Sequence, residues 1–255
     1  MKTGEILAVL EGFAPYDLAE SWDNVGLLAG DRDRRVTKVL CALDITEAVV
    51  DEAIGLGANL IVAHHPVVFT SVRGVTTDTV TGTLLIKLIK ADISAICMHT
   101  NADCADGGVN DLLAAVLGLK DVKTLGAGDH GDLGRVGNLS APTPLEQFVA
   151  EVREKLHAGG VRYTAGSQTA RRVAVLGGAG GKLLEYAIAS GADTFVTGDC
   201  SYDRMQLAQA RGLNLIDAGH FPTEHPIAEG FARLLREKTD VEVLVSCHQD
   251  CIRFL

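Results

Sequence analysis

The sequence is poor in aromatic residues, in proline and in long apolar runs. Aromatics make up 5% of its 255 residues, with a single Trp, and six prolines stand against 28 glycines. That balance fits an α/β protein with tight strand-to-helix turns better than an all-β sandwich. No apolar run reaches the roughly 18–20 residues that a membrane span needs. Glu5 and Glu11 interrupt the amino-terminal stretch that would otherwise form a signal-like apolar core. A cytoplasmic protein with no membrane partner is expected. A basic excess is missing as well: Lys and Arg number 23 against 33 Asp and Glu, for a net charge of −10. An acidic surface repels phosphate backbones and disfavours general nucleic-acid binding. It does not exclude one nucleotide in a pocket, where a metal or a local Arg reverses the field. None of the six cysteines forms a Cys-x-x-Cys pair, so the zinc-ribbon and thioredoxin classes lack their signature. Cys41 and Cys97 lie inside apolar runs and read as small core residues. Cys247-His248-x-x-Cys251 is set aside as a chelate because its spacing does not match known ligand patterns.

What the chain does contain is one supersecondary unit written twice. Lys38–Asp44 has the pattern of a buried strand, Thr46–Gly57 that of a capped amphipathic helix, and Asn59–His64 that of a second strand. This is a βαβ unit, expected to be right-handed with parallel strands. It returns as a strand at Arg172–Gly177, a helix at Gly181–Gly191 and a strand at Asp193–Gly198. Each copy continues into a further helix (near 82–90 and 201–211) and strand (Ile93–Cys97 and Leu213–Asp217). The expected fold class is α/β, two similar lobes of βαβ units with mostly parallel sheets. The lobes are placed at residues 1–125 and 126–255, with a C-terminal strand, Val241–Ser246, able to return to the first lobe. Asp121–Pro144, rich in Gly and Pro, reads as a connector, with Gly134–Leu139 a short edge strand at most. Helices are expected at Leu145–His157 and Ile227–Lys238.

Both copies exit into His-x-x-x-carboxylate: His99 to Asp103 and His220 to Glu224. A spacing of four brings both side chains to one face of a helical turn. His64-His65, His99, Asp199 and His220 all fall at expected strand ends, where open parallel sheets bind their ligands. Adjacent histidines on a strand point to opposite sides, so at a strand exit His64 and His65 splay toward two neighbouring ions more naturally than toward one. Pro66 biases His65 to an extended conformation. Nitrogen and oxygen donors without thiolate suit Zn, Mn, Fe, Co or Ni. Two such divalent ions about 3.5–4 Å apart activate a bridging hydroxide and polarise a substrate, which is hydrolytic chemistry. Asp44 is expected either to support a metal-bound His or to cap a helix. His130, His157, His225 and His248 lack such company and read as surface or structural.

Five ordered motifs, Ser21–Asp31 with Trp22-Asp23-Asn24, Ala63-His-His-Pro66, Met98–Asp103 followed by Gly107–Asn110, Thr197-Gly-Asp199 and Asp217–Glu224, resemble the GTP cyclohydrolase 1 type 2 homologue family. These are the NIF-three-like dinuclear-metal-centre proteins. The resemblance implies a NIF-three-like fold, a toroidal homohexamer and a dinuclear metal site at the seam between the lobes. It carries the metal roles onto His64, His65, Asp103, His220 and Glu224, with Glu224 the bridge. His99 stands beside them as an extra ligand or a proton-transfer group. Some relatives carry a long inserted domain in mid-chain, and this chain resembles the short form. Many relatives have a His after the Tyr that follows Thr-Gly-Asp. Here Tyr202 precedes Asp203, so no proton-transfer role carries over to that position.

Trp22-Asp-Asn24 either lines a pocket mouth or forms a structural turn at the first helix. Gly177–Gly181 is not a Walker A motif or a full Gly-x-Gly-x-x-Gly and is taken as a tight turn in preference to a phosphate cradle. The expected function is a dinuclear-metal-dependent hydrolase, GTP cyclohydrolase-like, in which metal-bound hydroxide attacks a nucleotide or other small heterocycle. The alternatives are a non-catalytic metal-binding, metal-delivery or adaptor protein, and a phosphoesterase using the same two ions.

Overall fold

The structure is a computed structural model that describes residues 1–129 and 131–255. His130, read above as surface or structural, lies outside the described residues. The chain divides into two compact units: residues 1–106 with 227–249, and residues 107–226 with 250–255.

The first unit opens with helix α1 (Thr3–Phe13), then strand β1 (Gly26–Ala29), β2 (Lys38–Ala42), helix α2 (Glu47–Leu56), β3 (Leu60–Ala63), α3 (Val80–Lys90), β4 (Ser94–Cys97) and the single-turn helix α4 (Thr100–Cys104). The second unit contains α5 (Val109–Leu117), β5 (Lys120–Ala127), β6 (Leu133–Pro144), α6 (Leu145–Lys155), β7 (Arg162–Thr164), β8 (Thr169–Val175), α7 (Leu184–Ala189), β9 (Thr194–Thr197), α8 (Tyr202–Ala210), β10 (Asn214–Asp217) and α9 (His220–Glu224). The chain then re-enters the first unit as α10 (Pro226–Lys238) and β11 (Glu242–Val245).

The first sheet runs β1-β4-β3-β2-β11. Its β11–β2, β2–β3 and β3–β4 pairs are parallel, and β1 joins antiparallel with Gly26 opposite Cys97. Local sequence explains α2 well. Thr46 caps it by accepting from the Val49 amide at 3.2 Å, and Gly57 ends it in the left-handed region at φ 68°. Val49, Val50 and Ala53 of α2 pack with Leu40, Ile61 and Ala63 of the strands and Leu84, Leu85 and Leu88 of α3. Strands β2, β3 and β4 are nearly or wholly buried, as parallel strands covered by helices must be. Burial pushes the Cys97 thiol up to about 12 and raises that of Cys41, so both are inert core residues, as expected.

The second sheet runs β5-β6-β8-β9-β10-β7. The β8–β9–β10 segment is parallel and reproduces the βαβ reading, while β5, β6 and β7 pair antiparallel. The expected helix at Gly181–Gly191 begins as a 3-10 turn, Gly180–Leu183, before α7. One expectation is corrected. Asp121–Pro144 is a hairpin of two strands, and Gly134–Leu139 lies in β6, flanked by β5 and β8 and so interior to the sheet. The glycines that suggested a connector have strand uses. Gly134, at φ 75°, lets the backbone approach Leu125, whose Cδ2 would stand 2.9 Å from an added Cβ. Pro142 falls in the register shift between Asn138 and Thr143, where the ladder asks for no amide donor. Among the described residues, no helix is long and apolar enough to cross a membrane.

Candidate metal centre

In the first unit, β2, β3 and β4 end side by side, with Ala63 paired to Ala42 and to Cys97. The residues just beyond these ends are Asp44, His64-His65 and Met98-His99. The parallel register therefore delivers one carboxylate and three imidazoles to one edge of the sheet. Ligand atoms of His64, His65 and His99 all lie within 4.8 Å of one another.

Each ring is held by its Nδ1. His64 Nδ1 lies 2.9 Å from the Met98 carbonyl, His65 Nδ1 2.7 Å from Asp44 Oδ1, and His99 Nδ1 2.8 Å from Asp23 Oδ1. An oxygen acceptor at Nδ1 makes that nitrogen the donor and leaves the lone pair of a neutral imidazole on Nε2. That is how outer partners prepare a histidine for a metal. His64 is fully buried, and Asp103 of α4 is 8% exposed with Oδ1 3.7 Å from His64 Nε2. Asp103 thus faces the β3 histidine.

Asp23 is the best-connected carboxylate here. It also accepts from the Thr100 amide at 2.9 Å and from the Thr100 hydroxyl. Burial works to raise its carboxyl, but the hydrogen bond and charge of His99 and the bonds from Thr100 outweigh it and hold it at about 2. Asp44 follows the same pattern: burial raises it, while His65 and His248 bring it below the ordinary carboxylate range.

His248 was read as surface or structural. Its Nε2 lies 3.4 Å from Asp44 Oδ2, on the far side of the carboxylate that holds His65. The segment after β11 is tied down to make this possible: Glu52 of α2 accepts from the Ser246 hydroxyl and, at 2.9 Å, from the Cys247 amide. Nothing local in the sequence announces this contact, because Asp44 and His248 meet only through the β11–β2 pairing. Asp23 likewise has no signal of its own in the sequence beyond its place in Trp22-Asp23-Asn24.

In the second unit, β8, β9 and β10 also end together, with Val175 paired to Val196 and Asp217 to Thr197. Beyond them lie Gly177-Gly178, Gly198-Asp199 and the α9 turn. His220 and Glu224 share one face of that turn, with Nε2 3.0 Å from Glu224 Oε2. His220 Nδ1 lies 2.7 Å from Asp199 Oδ2, and Asp199 takes up the left-handed region at φ 51°. A non-glycine residue held there is a mark of local strain, often found at functional sites. Glu224 is 4% exposed.

The Gly177–Gly181 loop backs this turn. The amides of Gly177, Gly178 and Gly180 donate to Asn110, Thr223 and Thr197 side chains. Its donors serve the fold, which supports a tight turn over a phosphate cradle. At Gly178, φ 66°, an added Cβ would stand 2.2 Å from Glu224 Oε1 and 3.0 Å from His220 Nε2. The missing side chain makes room for the carboxylate and the imidazole.

In each unit, imidazole held at Nδ1 by an oxygen acceptor stands beside a buried carboxylate, and such nitrogen and oxygen donors suit divalent metal. The chain therefore carries residue groups consistent with metal binding. His157 lies in the left-handed region after α6 at φ 52°, and His225 stacks on Phe221 at 4.6 Å.

The sequence model of the Duf34/NIF3 (NGG1p interacting factor 3) family matches residues 1–251. The chain belongs to this family. A Clostridium perfringens (strain 13 / Type A) protein named GTP cyclohydrolase 1 type 2 homolog is 36% identical over 252 residues, covering 96% of this chain and 96% of its own length. One of the same name from Streptomyces coelicolor is 39% identical over 249 residues, covering 94% of this chain and 87% of that protein. The crystal structure of Staphylococcus aureus hypothetical protein SA1388 superposes with a TM-score of 0.93 at 34% identity, covering 100% of this chain and 99% of that one. Reduced HcgD from Methanocaldococcus jannaschii follows at 0.85 and 32%, covering 97% and 98%. The two-sheet α/β architecture is thus that of solved Duf34/NIF3 relatives.

Proposed function

We propose that this Duf34/NIF3 protein is a dinuclear-metal-dependent hydrolase acting on a nucleotide or related heterocycle. His64, His65, Asp103, His220 and Glu224 are its metal ligands. The observation that carries this is the common treatment of the four histidines. All stand beyond the carboxyl ends of parallel strands, and in all of them an oxygen acceptor holds Nδ1 and leaves Nε2 as the nitrogen presented to a ligand. Core packing alone does not ask for that. The name carried by relatives, GTP cyclohydrolase 1 type 2 homolog, makes ring-opening hydrolysis of GTP the first reaction to test.

Two bound divalent ions, of Zn, Mn, Fe, Co or Ni, supply Lewis acidity and an activated water. The chain's own residues do the rest. Asp44, Asp199 and the Met98 carbonyl orient the ligand imidazoles. His99 moves the proton at Nε2, and Asp23 stabilises its imidazolium through Nδ1, a division of labour familiar from acid–base pairs. The protein acts in the cytoplasm as the toroidal homohexamer that the family resemblance implies.

The test is turnover by purified, metal-analysed protein on a panel of nucleotides and phosphoesters, with Glu224→Ala as control. Metal-dependent ring opening that Glu224→Ala abolishes supports the proposal. Phosphoester cleavage alone would replace it with a phosphoesterase. Bound metal without turnover would leave storage, delivery or an adaptor role.

A further inference from the structure

Trp22, Asp23 and Asn24 make different contacts that converge on one place in the first unit. The antiparallel pairing of Gly26 with Cys97 sets this turn beside the end of β4. Asp23 holds His99 and the Thr100 amide. Asn24 Nδ2 donates to the Val68 carbonyl at 2.5 Å, which pins the backbone one residue before Phe69. The Trp22 ring then lies 5.9 Å from the ring of Phe69 and 6.1 Å from that of His99, and Phe69 lies 6.0 Å from His99. Trp22 is 58% exposed and Phe69 55%.

A packing role would bury these rings. Here two polar side chains of the same turn hold them at the surface against the imidazole assigned to proton transfer. Phe69 sits in residues 64–79, a connection between β3 and α3 without helix or strand, and ordered connections of that length are uncommon in compact proteins and usually functional. Exposed aromatic faces reward a flat π-system laid against them. The neighbouring His99, held at Nδ1 by the buried Asp23 carboxylate, offers its Nε2 to the edge of such a ring.

We propose that Trp22 and Phe69 form a stacking shelf for the planar heteroaromatic ring of the substrate, a nucleobase or a ring of that kind, and so bring it to His99. This rests on the hydrolase proposal for the identity of the substrate, but binding is read without turnover. Trp22 is the only Trp of the chain, so fluorescence excited at a wavelength that its four tyrosines do not absorb reports on the shelf alone. Guanosine 5′-monophosphate titrated into metal-loaded, full-length protein is expected to quench that fluorescence saturably. Ribose 5-phosphate, which lacks the base, is expected to leave it unchanged. By calorimetry, Trp22→Ala and Phe69→Ala each weaken nucleotide binding roughly tenfold, as loss of one stacking partner does. Trp22→Phe recovers part of the loss, and elemental analysis finds metal content unchanged in all three variants. The shelf is overturned if guanosine, adenosine and uridine monophosphates all fail to quench. Full nucleotide affinity in the alanine variants, or loss of their metal, overturns it equally. Quenching without turnover of any nucleotide upholds the shelf and removes the hydrolase; turnover without quenching does the reverse.

Discussion

The two His-x-x-x-carboxylate turns have the same spacing and the same place at the end of a parallel strand, yet they are used differently. In the second unit, His220 and Glu224 face each other across one helical turn at 3.0 Å, with Asp199 behind the imidazole and Gly178 making room for the carboxylate. In the first unit, the Asp103 carboxylate faces His64 from β3 at 3.7 Å, and His99 is held by Asp23 from the turn before β1. Spacing brings side chains to one face of a helix. Which groups they then meet is decided by the strands alongside. The first turn has a β3 exit carrying two histidines and an antiparallel β1 bringing Asp23. The second has a β8 exit, Leu176-Gly177-Gly178, that carries no imidazole or carboxylate. A duplicated local pattern thus sits in two different settings.

The comparison breaks most visibly at Gly178. Gly178→Ala puts a Cβ into Glu224 at a backbone angle that alanine resists. It is expected to lower folding stability by about 1–3 kcal/mol and to cost metal affinity, both measurable by denaturant titration with and without metal. Retention of full affinity would mean that the second turn is not a ligand pair. Next come the carboxylates behind the two histidines. Asp199→Asn is expected to weaken metal binding roughly ten- to a hundredfold, as loss of an outer partner does. Asp23→Asn is expected to leave metal affinity near normal and to lower turnover, since the role proposed for His99 is proton transfer. An equal loss of affinity in both variants would make His99 a ligand and the two turns alike.

Asp23→Asn has a second effect. A carboxyl held at about 2 against an ordinary 3.8 stabilises the folded state while it is ionised. That contribution is present above pH ~4 and is lost as pH falls from there toward 2. The variant is therefore expected to show a shallower acid limb in stability against pH, read by circular dichroism; an unchanged limb would deny Asp23 its role. The smallest effect is expected from His248→Ala, which acts on His65 through Asp44. Metal affinity should fall only a few-fold, below the loss given by a direct outer partner, and in an Asp44→Asn background the change should add nothing. Additive losses by calorimetry would separate His248 from that chain of contacts.

Much of the parallel core was legible in the sequence. Apolar runs at Val39–Ala42, Leu60–Ala63 and Ala95–Cys97 alternate with capped helices, and each unit's strand exits carry the polar residues that matter. The β5–β6 hairpin was not legible, because Lys120–Thr124 is exposed and shows no apolar alternation, while its glycines and prolines serve bends within strands. The histidines themselves stood out by composition and position. Their outer partners did not. Asp23 and His248 reach His99 and Asp44 through β1–β4 and β11–β2 pairing, and no local pattern encodes a contact made across a sheet. Gly178 looked like loop chemistry until the position of Glu224 behind it was known.

The central claim is that these histidines and carboxylates hold divalent metal. Elemental analysis of the purified chain, loaded with Zn or Mn and dialysed, tests it most directly alongside His65→Ala and Glu224→Ala. The account predicts two ions per intact chain and clear loss of metal in both variants, with folding retained by circular dichroism. An intact chain that stays near zero under metal-replete conditions, or variants that keep the full complement, would contradict it.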